Sequence, residues 1–131
     1  EPHMLIDLDS RTFVIPKYAG ASVDVRPLSV EAFQACVRAL EKNKQAGAVA
    51  LMADADTLRV AKEVLGVHAL NLKGITVRVG GVTRDATVQD LTAHAPLFTA
   101  ALSILTHLVT ISAITEADAG NSDGPLPNSP N

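Results

Sequence analysis

The residues whose types and spacing come closest to a reactive site are Asp54, Asp56 and His68. Two carboxylates in a D-x-D arrangement and an imidazole can together hold a divalent metal ion. The same aspartates can instead cap a helix, because a side-chain oxygen accepts a hydrogen bond from a free N–H of the first turn. The helix-cap interpretation is favoured, and we expect no metal site, no cofactor site and no catalytic residue.

The remaining reactive side chains form no pattern that is typical of an active site. The four histidines lack the HExxH and HxH spacings of zinc enzymes. Cys36 lies on the apolar stripe of a predicted helix, which favours core packing over a role as a nucleophile. Gly80-Gly81 lacks the further glycines and the lysine of a phosphate-binding loop. The chain is therefore predicted not to be an enzyme.

The composition indicates one globular domain without a strongly charged surface. Of 131 residues, 47% are hydrophobic and 19% are charged, and the net charge is −3. The few Lys and Arg residues are scattered, which argues against nucleic acid as a partner. Aromatic residues make up only 3%, so Ala, Val, Leu and Ile must build the core. A single cysteine fits a reducing compartment.

Changes in composition divide the chain into three parts. Residues 1–3 are interpreted as a cloning remnant before Met4, and no signal peptide follows, so we expect a cytoplasmic protein. Residues 4–116 are predicted to form a single globular domain. Residues 117–131 are rich in Gly, Pro, Asn, Asp and Ser and are predicted to be a disordered tail.

The first half of the domain predicts a hairpin and then helices. Residues 11–28 contain two short alternating runs around a turn. Ser29 is suited to cap a helix that runs to about Lys44. Its apolar stripe consists of Val30, Phe33, Cys36, Val37 and Leu40.

A further helix is predicted to begin at Asp54 or Asp56 and to end at Gly66 in the left-handed conformation. Residues 48–53 form an apolar run too short to assign by periodicity, and its Ala and Met content favours a helix.

The second half predicts another hairpin and a long final helix. Residues 75–86 fit two strands joined by Gly80-Gly81 as a two-residue turn. A short helix is expected near 88–94, and Pro96 suits the first position of the last helix. The predicted fold class is α+β and mainly helical. An N-terminal β-hairpin is followed by a small helical bundle, with a long apolar C-terminal helix.

The last helix has an unusually wide apolar surface. No charged residue occurs from Leu91 to Thr115. The apolar arc covers more than half of the circumference, whereas a helix that faces one core needs little more than 100°. Membrane insertion is disfavoured by several hydroxyls, by His107, and by the lack of flanking basic or aromatic anchors.

Two interpretations of the last helix remain open: a central core helix, or a helix that offers one side to a second chain. For the second case the predicted partner-binding residues are Phe98, Leu102, Leu105 and Val109. Their burial would stabilise a complex by about 1.5–3 kcal/mol for each side chain, before ordering costs.

Three segments resemble the tail assembly chaperones of lambda-like, long non-contractile-tailed bacteriophages. SVDVRPLSVEAF (22–33) resembles their opening strand and first helix. The segment 72–105 is similar to their later region, a glycine-containing hairpin followed by a terminal helix. ISAITEADAGNSDGP (111–125) resembles their acidic, Gly/Asn/Pro-rich end. Residues 45–66 show little that matches.

The resemblance implies a specific role in viral tail assembly. Such chaperones bind and solubilise the tape measure protein and promote polymerisation of the tail tube around it. They act in the host cell cytoplasm and are absent from the mature virion. Family members are often also made in a longer form by ribosomal frameshifting, and the added domain recruits the tail tube protein. We expect a homo-oligomer that binds neither nucleic acid nor membrane.

Two other functions remain open. One is a small α+β interaction or adaptor module unrelated to phages, which fits the composition equally well. The other is a small metal-dependent or ligand-binding enzyme that uses Asp54, Asp56 and His68.

Overall fold

The computed structural model describes residues 5–42 and 47–113. The predicted fold class is confirmed: about 53% of these residues are helical and about 20% lie in strands. The terminal segments 1–3 and 117–131 lie outside the described residues. In chain order the elements are β1 (Arg11–Val14), β2 (Ser22–Val25), α1 (Val30–Lys42), α2 (Gly47–Ala53), α3 (Ala55–His68), β3 (Ala69–Lys73), β4 (Thr76–Val79), β5 (Val82–Asp85), α4 (Asp90–Ala93), a 3₁₀ turn (Ala95–Leu97) and α5 (Phe98–Ser112).

The first sheet has three antiparallel strands in the order β1-β2-β3. The predicted hairpin is confirmed, with Phe13 opposite Val23. The third strand is absent from the sequence-based prediction. It carries a β-bulge opposite β2 and has Asn71 at φ 57°. Asparagine tolerates this left-handed conformation better than other side chains, and the bulge masks the period-2 pattern of the strand.

A polar ladder crosses the outer face of this sheet. Asp24 accepts hydrogen bonds from Thr12 Oγ1 and from Asn71 Nδ2, both at 3.0 Å. These hydrogen bonds, from Asn71 first and then Thr12, lower the pKa of Asp24 below its usual value. The outer face is therefore fixed by side chains from all three strands, while the inner face carries buried Val23 and Val25.

Side-chain caps begin two of the helices, as predicted. Ser29 Oγ accepts a hydrogen bond from the N–H of Ala32 at 3.1 Å, at the start of α1. Asp54, rather than Asp56, caps α3 and accepts from the N–H of Thr57 at 3.2 Å. The apolar run 48–53 is helical, as its composition favours.

The predicted end of α3 at Gly66 is wrong. The helix continues through Gly66 to His68, and Ala69 then enters β3 directly in an extended conformation. Helical hydrogen bonding persists because His68 is buried where α3 meets the sheet. Arg26 also binds this end, since its guanidinium donates to the carbonyl of Val67 at 2.8 and 3.2 Å.

The predicted apolar stripe of α1 is partly wrong. Val30, the first residue of α1, is 73% exposed. Phe33, Val37 and Leu40 are only half-buried. The buried positions of α1 are its small residues Cys36 and Ala39.

The second hairpin stands apart from the first sheet. Gly80 and Gly81 have φ values of 61° and 80°, the two positive angles of a type I′ turn, so the predicted turn is confirmed.

Arg84 links the hairpin to α4 through two hydrogen bonds to the Asp90 carboxylate, at 2.7 and 2.9 Å. Asp90 also accepts from the N–H of Thr87 at 2.8 Å. These hydrogen bonds, that of Arg84 first, hold the pKa of the buried Asp90 far below its usual value.

Helix α5 lies at the centre of the fold and contacts each of the four other described helices. Six of its residues are buried: Phe98, Ala100, Ala101, Ile104, Leu105 and Leu108. Leu28 N–H donates to Ser112 Oγ at 2.7 Å and ties the far end of α5 to the segment before α1.

Among the described residues, Ala95–Ser112 is the one stretch that length and composition would allow to cross a membrane, and 33% of it is buried within the chain.

Gly74 permits a close approach between the β3–β4 connection and the chain just before β2, and replacing it tests this contact. Gly74 has φ +92°, and a Cβ there would lie 2.8 Å from the Cα of Ala21. We expect Gly74→Ala to lower the free energy of unfolding by about 2–4 kcal/mol, because backbone strain and steric overlap add. Urea denaturation measures the change.

The matched control is Gly20→Ala. Gly20 has φ +84°, but a Cβ added there would meet nothing within 4 Å, so only the strain of the left-handed conformation applies. We expect a cost of about 1–2 kcal/mol there. Equal costs at the two positions would show that the contact with Ala21 is loose.

Candidate partner-binding groove

The structure divides the four predicted partner-binding residues into two pairs. Phe98 and Leu105 are 2% and 3% exposed, so their own chain buries them and they are not available on the surface. Leu102 and Val109 are half-buried and pack against the edge of the core. Partner binding by Leu102 and Val109 stays a prediction, whereas Phe98 and Leu105 are core residues in this structure.

The open side of α5 forms a groove with the first hairpin, which we call the α5 groove. It has a volume of about 430 Å³. The hairpin supplies one wall and successive turns of α5 supply the floor. The lining residues are Phe13, Pro16, Thr99, Leu102, Ser103, Thr106, His107 and Thr110. None of them is an Asp, Glu, Lys or Arg, so the groove presents methyl, hydroxyl and aromatic groups.

A ring contact fixes the wall of the groove to its floor. Phe13 stacks on His107 with ring centroids 4.0 Å apart and an angle of 12° between the planes. Burial lowers the pKa of His107, and the nearby Arg11 lowers it further. These two effects favour the neutral form of the imidazole at neutral pH.

Arg11 is the cation whose charge acts on His107, and its guanidinium is bound to backbone carbonyl oxygens. The guanidinium of Arg11 donates through Nη2 to the carbonyl oxygens of Asp7 and Asp9, at 2.6 and 3.4 Å. A ligand in the groove would thus meet uncharged groups first. An apolar or amphipathic helix fits such a surface, because no charge has to lose its hydration when the helix docks.

The sequence-based prediction missed most of this groove. The helix periodicity places the hydroxyl-bearing residues and His107 on the polar side of the helix, but it does not connect Phe13 with them. A signal was present, since the polar side of this helix contains no charge at all. The stacking partner could not be found, because it comes from a strand more than 90 residues earlier.

The residues of the metal-site alternative do not come together. Asp54 caps α3 and pairs with Lys42 Nζ at 3.1 Å, while Asp56 is paired with Arg59 at 3.9 Å. His68 lies at the opposite end of the same helix, about 18 Å from Asp56 at 1.5 Å rise per residue. In the described residues, no group of three or more His, Cys, Asp or Glu side chains could hold a metal ion.

Cys36 has the environment of a core residue. It is 1% exposed, and burial raises the pKa of its thiol to about 11. The thiol is therefore protonated at neutral pH and is a poor nucleophile. Its predicted role in core packing is confirmed.

No family model, curated protein or solved structure matches this chain. The site must therefore be interpreted from its own geometry.

The buried imidazole of His68 makes the stability of the fold depend on pH. Its Nδ1 is buried without a hydrogen-bond partner, and burial, followed by the charge of Arg26, lowers its pKa. The unfolded chain then binds a proton more readily than the folded chain. The free energy of unfolding has its full value at pH values above about 6.5, the pKa of a histidine in the unfolded chain. It decreases as the pH falls through that value.

We expect the free energy of unfolding to decrease between pH 7.5 and pH 5.5. In His68→Gln this decrease should become smaller, because one proton-binding site of the unfolded state is lost. Urea denaturation at several pH values provides the measurement. An unchanged pH dependence in the variant would contradict the buried, neutral state of His68.

Two leucines that are three residues apart on α5 test the boundary between groove and core. Leu105→Ser should lower the free energy of unfolding by about 3–5 kcal/mol, because it leaves a cavity and buries a hydroxyl. Leu102→Ser should cost only about 1 kcal/mol, since Leu102 borders the groove. Denaturant unfolding compares them directly. Equal losses would place Leu102 in the core and remove it from the groove.

Proposed function

We propose that this chain is a phage tail assembly chaperone that binds the tape measure protein through the α5 groove. In this role it keeps its client soluble and promotes polymerisation of the tail tube around it. The resemblance of three segments to that family supports the proposal from the sequence. The observation that carries it structurally is an open groove, lined by uncharged residues, on the long helix α5, which contains no Asp, Glu, Lys or Arg.

The groove follows the axis of helix α5. Its lining residues on α5 run from Thr99 to Thr110, which corresponds to about 16 Å along the helix axis. A client helix of similar length would present apolar side chains at positions i, i+3 or i+4, and i+7. Leu102 and Phe13 offer apolar contacts, and the small Thr and Ser side chains between them allow a close approach.

The chemistry of the groove suits a client whose sequence varies along its length. Methyl and hydroxyl groups impose few directional requirements, so different apolar helix faces can bind with similar affinity. One groove gives a modest affinity. Many chaperone copies along one long client would shield its apolar faces together.

The test is co-expression with a tape measure protein encoded beside the gene of this chain. The wild-type chain should increase the soluble fraction of that client. Thr106→Glu places a charge on the exposed floor of the groove, where a docked helix would strip it of water. We expect the variant to bind the client at least about tenfold more weakly and to lose the solubilising effect.

Val30→Glu is the matched control, because Val30 is 73% exposed on α1 and does not line the groove. It should solubilise the client as well as the wild-type chain. If Thr106→Glu solubilises the client as well as the wild-type chain does, the client binds to another surface. The absence of tail tube and tape measure genes beside this gene would contradict the phage assignment itself.

A further inference from the structure

Two exposed apolar segments lie outside the α5 groove. The first is the segment before β1, where Leu5, Ile6 and Leu8 are 85%, 45% and 67% exposed. The second is the tip of the β4–β5 hairpin, where Val79 and Val82 are 52% and 65% exposed. Each leaves aliphatic side chains in water, which is a cost unless a partner covers them.

The first segment alternates between apolar and acidic residues. In an extended conformation Ile6 and Leu8 point to one side and Asp7 points to the other, since side chains alternate along a strand. The carboxylate of Asp7 accepts one hydrogen bond, from the N–H of Asp9 at 2.9 Å. It has no ion-pair partner within residues 5–42 and 47–113.

Strand β4 alternates between apolar and basic residues, which complements the apolar and acidic residues of the first segment. Val77 and Val79 share one face, and Arg78 lies on the other, where Thr83 is opposite to it. Arg78 has no hydrogen-bond or ion-pair partner in the described part of the chain. The strand pairs with β5 on one side only, so its outer edge is unpaired among the described residues.

We propose that residues 5–8 of a second copy of this chain add as a third strand to the outer edge of β4. In an antiparallel register Ile6 lies opposite Val79, and Leu8 lies opposite Val77. Asp7 then lies opposite Arg78 on the other face. One register thus matches both apolar side chains and the ion pair.

The charge pattern favours the β4 edge over the β5 edge. The side chains of β5 that lie on the same face of the hairpin as Arg78 are Thr83 and Asp85. If the segment added to β5 instead, the carboxylate of Asp85 would repel that of Asp7. Arg84, the cation of that strand, is already bound to Asp90. A third strand also adds to an isolated two-stranded sheet, which by itself is marginally stable in water.

A second copy is the occupant, because the segment of the same chain is held at the other sheet. Arg11 in β1 donates to the carbonyl oxygens of Asp7 and Asp9, which keeps this segment next to the β1–β2–β3 sheet. When two copies exchange residues 5–8, the β4 edge of each copy gains a third strand from the other copy. When the exchange is reciprocal, the product is a closed dimer with two-fold symmetry.

The experiment follows self-association of the full chain by sedimentation velocity across a concentration series. The wild-type chain should dimerise as its concentration rises. Asp7→Lys and Arg78→Glu should each raise the dimer Kd roughly tenfold, because each replaces an attraction with a repulsion at both interfaces. Arg38→Glu is the control for net charge, since Arg38 is exposed on α1, and it should dimerise like wild type.

An equimolar mixture of Asp7→Lys and Arg78→Glu distinguishes contact between copies from contact within one chain. In the mixed dimer the introduced lysine meets the introduced glutamate, and the native pair forms at the second interface. The mixture should therefore dimerise nearly as well as wild type. A strictly monomeric wild-type chain, variants with wild-type affinity, or a mixture no stronger than either variant alone would overturn the proposal.

Client binding does not affect this experiment, because no client is present. Thr106→Glu, the groove variant, should dimerise like wild type. Failure of the strand exchange would leave the α5 groove intact as a client site, and failure of client binding would leave the dimer intact.

Discussion

The fold depends on burial of one side of α5. With few aromatic residues available, the core is built from aliphatic side chains around Ile104, Leu108 and the single buried phenylalanine, Phe98. The four other described helices contact α5 and pack against this side. Charge is absent from the helix altogether, so its remaining side is uncharged as well. The groove is thus a consequence of how the core is built.

The elements around α5 are held by short connections and by specific hydrogen bonds. Asp54 separates α2 from α3 and caps the second of them, and α3 leads into β3 without a loop. Arg84 and Asp90 join the second hairpin to the helical layer, and Phe13 joins the first hairpin to His107. The floor and the wall of the groove therefore belong to one packed unit, which reduces the ordering cost of binding a helix.

Local signals in the sequence were sufficient for most helices and for both hairpins. The caps at Ser29 and Asp54, the Gly80-Gly81 turn and the apolar period of α5 each depend on neighbouring residues alone. Strand β3 was missed because its bulge at Asn71 breaks the alternation. The end of α3 was misplaced because burial of His68, a tertiary effect, extends the helix past Gly66.

The candidate site was less predictable than the fold for the same reason. Periodicity identified an apolar arc that was too wide for one core, but it could not say which part the chain itself would cover. Packing buried Phe98 and Leu105 and left the side with Thr106 open. The opposite wall comes from Phe13, whose position depends on strand pairing and on its stacking with His107. Such contacts between distant residues leave no local pattern in the sequence.

Thiol labelling of cysteines introduced singly along α5 distinguishes an open groove from a covered helix face. Ser103→Cys lies in the groove and Ala101→Cys lies in the core, and the native, buried Cys36 serves as an internal reference. We expect a thiol reagent to label the cysteine at position 103 quickly and a bound client helix to block this labelling. The cysteine at position 101 should react as slowly as Cys36. Equal labelling rates at the two positions would show that this side of α5 is not an open groove, and no protection by the client would show that the client binds elsewhere.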